Sequence, residues 1–155
     1  MGLGFELSES ASGSYYRLDE PMRDRAIRIS LRLEVDGLRR FARDRKLLAE
    51  GTVVAEGLAE QGKPLSGTLA WKLFDEKRVP YDLAFEGDDG KVYRLRGQRD
   101  FEVHDVVDSL TILPASLYDE SGEEIARATL RFDPRQELPQ LFKSFRPRVR
   151  LFGGR

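Results

Sequence analysis

His104, in the stretch FEVHDVVD, is the only histidine of the chain, and Asp105 and Asp108 stand close to it. An imidazole oriented by a carboxylate is the pair that general acid–base catalysis uses. A covalent route also needs a nucleophile, and no G-x-S-x-G elbow occurs to present one. One histidine and no cysteine cannot build a multi-histidine or thiolate metal site. Two readings of His104 stand: the base of a small hydrolase-like enzyme, with acids from neighbouring strands, or a solvated loop residue in an acidic block.

Phosphate and metal motifs are missing. GLGFE opens like a dinucleotide turn, but Leu7 occupies the third glycine position and no strand precedes it. GDDGKV lacks the alternating ligands and terminal glutamate of a calcium loop and reads as a hairpin tip. No cofactor, no metal and no catalytic residue is expected.

Two other groups of side chains could bind. Trp71, Phe74, Tyr81, Phe85 and Tyr93 fall on strands in the middle of the chain. They could line a cavity for an apolar ligand, as in eight-stranded barrels that hold one, or fill that space themselves. The segment LPQLFKSFRPRVRLF, residues 138–152, mixes large apolar with basic residues. Arg146, Arg148, Arg150 and Phe152 would suit contact with a partner or with an anionic surface, where each positive charge contributes about 1 kcal/mol.

The elements that must position these residues are mostly strands. AIRISLRLEV, residues 26–35, places Ile27, Ile29, Leu31, Leu33 and Val35 on one side and polar residues on the other, a half-buried antiparallel strand. The pattern returns in VPYDLAFE and ARATLRF, and more weakly at 5–17, 48–56, 66–74, 91–99 and 109–118. Asp89-Gly90, Ser121-Gly122 and Gly62 supply positive-φ turn residues, so sequential strands should pair as hairpins. The expected fold is mainly all-β, a meander of about eight strands closed as a lipocalin-like barrel or folded as a two-layer sandwich.

Two short helices interrupt the meander. Asp36 can cap GLRRFARD; Asp133-Pro134 with Gln136 caps an amphipathic helix near 134–146, whose Leu138, Leu141, Phe142 and Phe145 form one apolar face. That face is expected to close the sheet as a lid. The basic-apolar arm, 147–155, would either add as a strand or stay free.

With 155 residues the chain makes a single domain. Its 26 basic and 27 acidic side chains set up no global field for a polyanion, so nucleic acid is not an expected partner. Charges are nonetheless segregated: residues 100–137 are strongly acidic, whereas 138–155 contain only bases. Arginines crowd residues 23–46, interleaved with Asp24, Glu34, Asp36 and Asp44, as a solvated face or an anion-binding patch. No stretch approaches the ~20 apolar residues of a membrane helix, and no secretory leader is evident. Absence of cysteine suits a reducing compartment, so a cytoplasmic location is expected.

Along nearly the whole chain, the segments FELSESASGSYY, IRISLRLEVDGLRRFARDRKLLAEGTV, PLSGTLAWKLFD, VPYDLAFEGDDGKVYRLRGQRDFEV, DSLTILPASLYD and ARATLRFD followed by LPQLFKSFR resemble a known family. It is the accessory domain, of unknown function, found with bacterial cholesterol-oxidase-like flavoproteins of the glucose–methanol–choline class and with lipase-like hydrolases. Glu9, Gly13, Phe41, Gly51, Gly67, Phe74, Tyr81, Gly90, Gly97, Leu138 and Phe145 carry the likeness. The family's E-x-M-x-G becomes Glu9-Ser-Ala-Ser-Gly13, and its Trp-Asp-Thr-Thr-Thr-Leu-Tyr becomes Val107-Asp-Ser-Leu-Thr-Ile-Leu113, without the tryptophan. The resemblance implies a non-catalytic accessory or binding module, for a lipid or other apolar ligand or for a lipid-active enzyme. It brings no oxidase activity, since the flavin domain is absent. A structural or assembly module is the remaining alternative.

Overall fold

Alternating side chains build nine strands and one short helix in the computed structural model, which describes residues 3–36, 38–72, 76–100, 111–132 and 146–149. The strands are β1 (Leu3–Arg17), β2 (Glu20–Asp36), β3 (Lys46–Ala55), β4 (Ala59–Ala70), β5 (Arg78–Glu86), β6 (Val92–Asp100), β7 (Ile112–Tyr118), β8 (Glu124–Phe132) and β9 (Arg146–Val149). Helix α1 spans Leu38–Asp44, following Asp36 as its capping signal suggests.

Each strand from β1 to β8 pairs antiparallel with its sequence neighbours, and β8 pairs with β1, so the meander closes into a barrel. The register can be followed around the ring: Leu7 faces Leu33, then Ala49, Gly67, Leu83, Leu95, Leu117 and Ala126, and Ala126 faces Arg17. One circuit thus returns to β1 displaced from Leu7 to Arg17, the stagger that tilts the strands and allows closure. The choice between barrel and sandwich, which alternation cannot make, falls to the barrel. β9 pairs with Leu3–Glu6 of β1, beside the stretch that β8 covers. The start of the basic arm therefore adds as a strand, and Arg146, the last residue of the expected helix, belongs to it.

Closure demands sharp bends, and inward-facing glycines provide them. A methyl group on Gly51 would overlap the carbonyl oxygen of Ser30, and one on Gly97 that of Pro114. Gly13 and Gly67 stand equally close to their neighbouring strands. Only glycine lets adjacent backbones approach this closely at a barrel corner.

The two ends of the barrel differ. At one, called here the hairpin end, β1–β2, β3–β4, β5–β6 and β7–β8 are joined by tight turns, with Gly57, Gly90 and Gly122 at positive φ. Gly62 also has positive φ but lies inside β4, where the register slips; it forms a bulge, and the reversal expected there occurs at Glu56-Gly57-Leu58 instead. At the other, the loop end, stand α1, the connections from β4 to β5 and from β6 to β7, and the exit from β8. The expected helix over 134–145 and the arm beyond Val149 lie outside the described residues.

One contiguous cluster of buried residues fills the interior, including every inward residue expected of β2, β5 and β8. Phe41, Trp71 and Ile125 pack against it from its margins.

Candidate functional site

Strand parity places two charged residues inside. Glu9 follows the inward alternation of Leu7 and Ala11 on β1, and Arg99 that of Tyr93 and Leu95 on β6. Both side chains are 6% exposed. Tyr81 on β5 joins them from a third strand. Its Oη donates to Glu9 Oε1 at 2.7 Å, while Arg99 Nη1 donates to Glu9 Oε2 at 3.0 Å and to Tyr81 Oη at 3.2 Å. The Arg99 guanidinium lies over the Phe132 ring, 4.1 Å from its centroid. Among the described residues, the buried side chains classed as polar or charged are Glu9, Arg99 and Thr111. Arg99 and Thr111 bracket the connection from β6 to β7 at the loop end; Glu9 reaches Arg99 across the interior, and Tyr81 reaches it from the adjacent strand β5.

Among the described residues, the strand ladders are interrupted beside this cluster. Pairing of β6 with β7 ends at Gly97, before Arg99. On β1, the ladder to β8 covers Ala11–Arg17 and that to β9 covers Leu3–Glu6, so Glu9 falls between them. Side-chain hydrogen bonds cross the interior where ladder hydrogen bonds stop.

Burying an ion pair costs several kcal/mol per charge in lost hydration, repaid only when geometry and further hydrogen bonds are good. Here the carboxylate accepts on both oxygens, and the cation has an aromatic face as well. Burial, reinforced by the Glu9 charge, raises the Tyr81 hydroxyl well above the ordinary tyrosine value. Tyr81 is therefore a neutral donor at physiological pH. The cluster offers a donor, a carboxylate and a guanidinium to a polar group, in surroundings that favour an apolar remainder.

Trp71 belongs to the same level of the barrel. It continues the inward parity of Leu69; the bridge between Lys72 and Arg78 sets it opposite Val79, which pairs with Arg99. Trp71 is half-buried, and its backbone N–H donates to the Arg45 carbonyl at 2.7 Å. Phe85 and Tyr93 lie elsewhere, stacked with centroids 5.8 Å apart towards the hairpin end. Tyr81 and Phe85 are four residues apart on one strand, about 13 Å. The structure therefore divides these aromatic residues between the two ends. Phe74 and His104, with Arg150 and Phe152, are outside the described residues; Arg146 and Arg148 are placed on β9.

Polar groups at the hairpin end serve the turns. Tyr15 Oη donates to the Glu56 carbonyl. Asp119 accepts from the Ser121 and Glu123 amides, and Asp89 from Tyr93 Oη. An open groove of about 710 Å³ over β1–β4 is walled by short polar side chains such as Ser8, Ser30 and Thr52. Among the described residues no three His, Asp or Glu side chains stand together as a metal site, and no helix is long and apolar enough to cross a membrane.

Glu9 and Arg99 were not singled out from sequence as site residues. The available signal was a charge at an inward parity, within FELSESA and VYRLRGQRD. No protein-family model, curated protein or solved structure matches the chain.

Proposed function

We propose that this domain is a non-catalytic binding module that takes an amphiphilic small molecule at the loop end of its barrel. The polar group of the ligand exchanges hydrogen bonds with Glu9, Tyr81 and Arg99, and its apolar part lies along Phe132 and Trp71. The observation that carries this reading is the convergence of charged groups from β1 and β6 inside an otherwise apolar barrel, beside a wall whose ladder is interrupted. A core built only for stability gains little from a buried ion pair, because apolar replacements of similar volume are often as stable or more so. The resemblance to accessory domains of lipid-processing enzymes supports the same reading, with a lipid-active enzyme as the functional neighbour.

Native mass spectrometry of the purified protein should reveal a co-purifying amphiphile, and an environment-sensitive fluorescent fatty-acid analogue should bind saturably. The double variant Glu9→Leu with Arg99→Met should stay folded and lose that binding. Failure of fatty-acid, fatty-alcohol and fatty-amine probes alike to bind the native protein would overturn the proposal.

A further inference from the structure

Charge is distributed along the barrel axis in a way the near-neutral total conceals. The β7–β8 turn exposes Glu120 and Glu123 beside half-buried Asp119, and the β5–β6 turn exposes Asp88 and Asp89. At the loop end the charge reverses. Helix α1 exposes Arg39, Arg40 and Arg43 while Phe41 packs against the core, and exposed Lys46 opens β3 directly after it. The acid within this stretch, Asp44, is engaged locally, accepting from the Lys46 amide at 3.1 Å. Strand β9 extends the same side of the rim: Gly4 pairs both with Asp36, from which the chain enters α1, and with Arg148.

Across the ring from α1 stand the ends of β6 and β7, with Asp100 exposed, since β2 and β3 lie opposite β6 and β7 in the strand order. Strand spacing and tilt make an eight-stranded barrel about 15 Å across. The Debye length at physiological salt is about 8 Å, so Asp100 barely offsets the α1 side.

We propose that the α1 side of the loop end docks on an anionic lipid surface, with the acidic hairpins turned away from it. An anionic bilayer fits better than a nucleic acid, because the exposed bases of α1 stand on a rim that also carries half-buried aromatic residues, Phe41 and Trp71. That mixture suits the polar–apolar boundary of a membrane. Docking stands apart from the interior site and does not require it to be filled.

Trp71 is the only tryptophan of the chain and sits beside Arg45, so its emission reports contact directly. Full-length protein should co-sediment with phosphatidylcholine vesicles containing phosphatidylglycerol, with a blue shift of that emission, and should not bind pure phosphatidylcholine. Binding should vanish near 1 M salt, where the Debye length is about 3 Å. One basic charge near such a surface strengthens partitioning about fivefold, so Arg39→Ser, Arg40→Ser and Arg43→Ser together should weaken it about 100-fold. Glu120→Ser with Glu123→Ser, at the other end, should not weaken it. Equal binding to neutral vesicles, salt-independent binding, an unaffected triple variant or preference for duplex DNA would each overturn the proposal. Uptake of the soluble fatty-acid analogue by the triple variant, measured without vesicles, separates failure of docking from failure of the interior site.

Discussion

The hairpin end and the loop end are built from the same alternating strands but secured by different means. At the hairpin end the chain reverses within a few residues, glycines take the left-handed conformation, and exposed aspartates bind turn amides. These turn devices are local, though Tyr15 also ties its strand to the β3–β4 turn, and stacked Phe85 and Tyr93 fill the interior nearby. At the loop end the connections are longer, the β6–β7 ladder has stopped, and a charge pair spans strands far apart in sequence. Local turn chemistry leaves one end with little to recognise. Long-range pairing leaves the other with polar groups inside and bases outside, where recognition is chemically feasible.

The largest effect should come from breaking the ion pair alone. Arg99→Ala strands a buried carboxylate and should cost about 3–5 kcal/mol in urea unfolding. Glu9→Leu with Arg99→Met should recover most of that loss; a double variant as unstable as the single one would show that the cluster holds the loop end together. Gly51→Ala tests the wall between the ends, where the added methyl overlaps the Ser30 carbonyl, and about 1–3 kcal/mol should be lost. Gly122→Ala meets nothing within 4 Å but sits at φ 86°, so only the left-handed penalty, about 1–2 kcal/mol, should appear.

Smaller and graded effects should follow pH. The Tyr93 hydroxyl is pushed up to about 12, by burial first and then by its hydrogen bond to Asp89. Its folded value exceeds the ordinary 10.0, so its contribution is complete below pH 10 and is lost as pH rises towards 12. Asp89 and Asp119 are held below the ordinary 3.8, chiefly by hydrogen bonds from Tyr93 and Ser121 respectively. Their contribution is present above that value and is lost as pH falls through their lowered folded values. Tyrosinate absorbance followed alongside circular dichroism should show Tyr93 ionising late and Tyr81 only as the barrel opens. Ionisation of all five tyrosines together near pH 10 in folded protein would remove the distinction between exposed and interior hydroxyls.

Much of the barrel was legible because alternation is a local signal. Ile27 to Val35 announced both the strand and its inward face, and Asp36 announced α1. Gly62 misled because a glycine between polar residues looks like a turn tip, whereas two extra residues in β4 make a bulge there. Barrel closure was illegible because it depends on β1 meeting β8, a pairing that leaves no mark in either strand alone. The site was illegible for a related reason. Glu9 and Arg99 each broke an apolar parity, but only the stagger of the closed ring puts them within reach of each other.

That closure sets an order on biosynthesis. The first strand emerges early and finds β2 within a few residues, but its second edge stays bare until β8 has been made. During that interval the protein is an open sheet with an apolar concave face, the form most exposed to pairing with another chain. Substitutions that delay the union of Ala11–Arg17 with Ala126–Phe132 should therefore show themselves in yield and chaperone dependence sooner than in the properties of the finished protein.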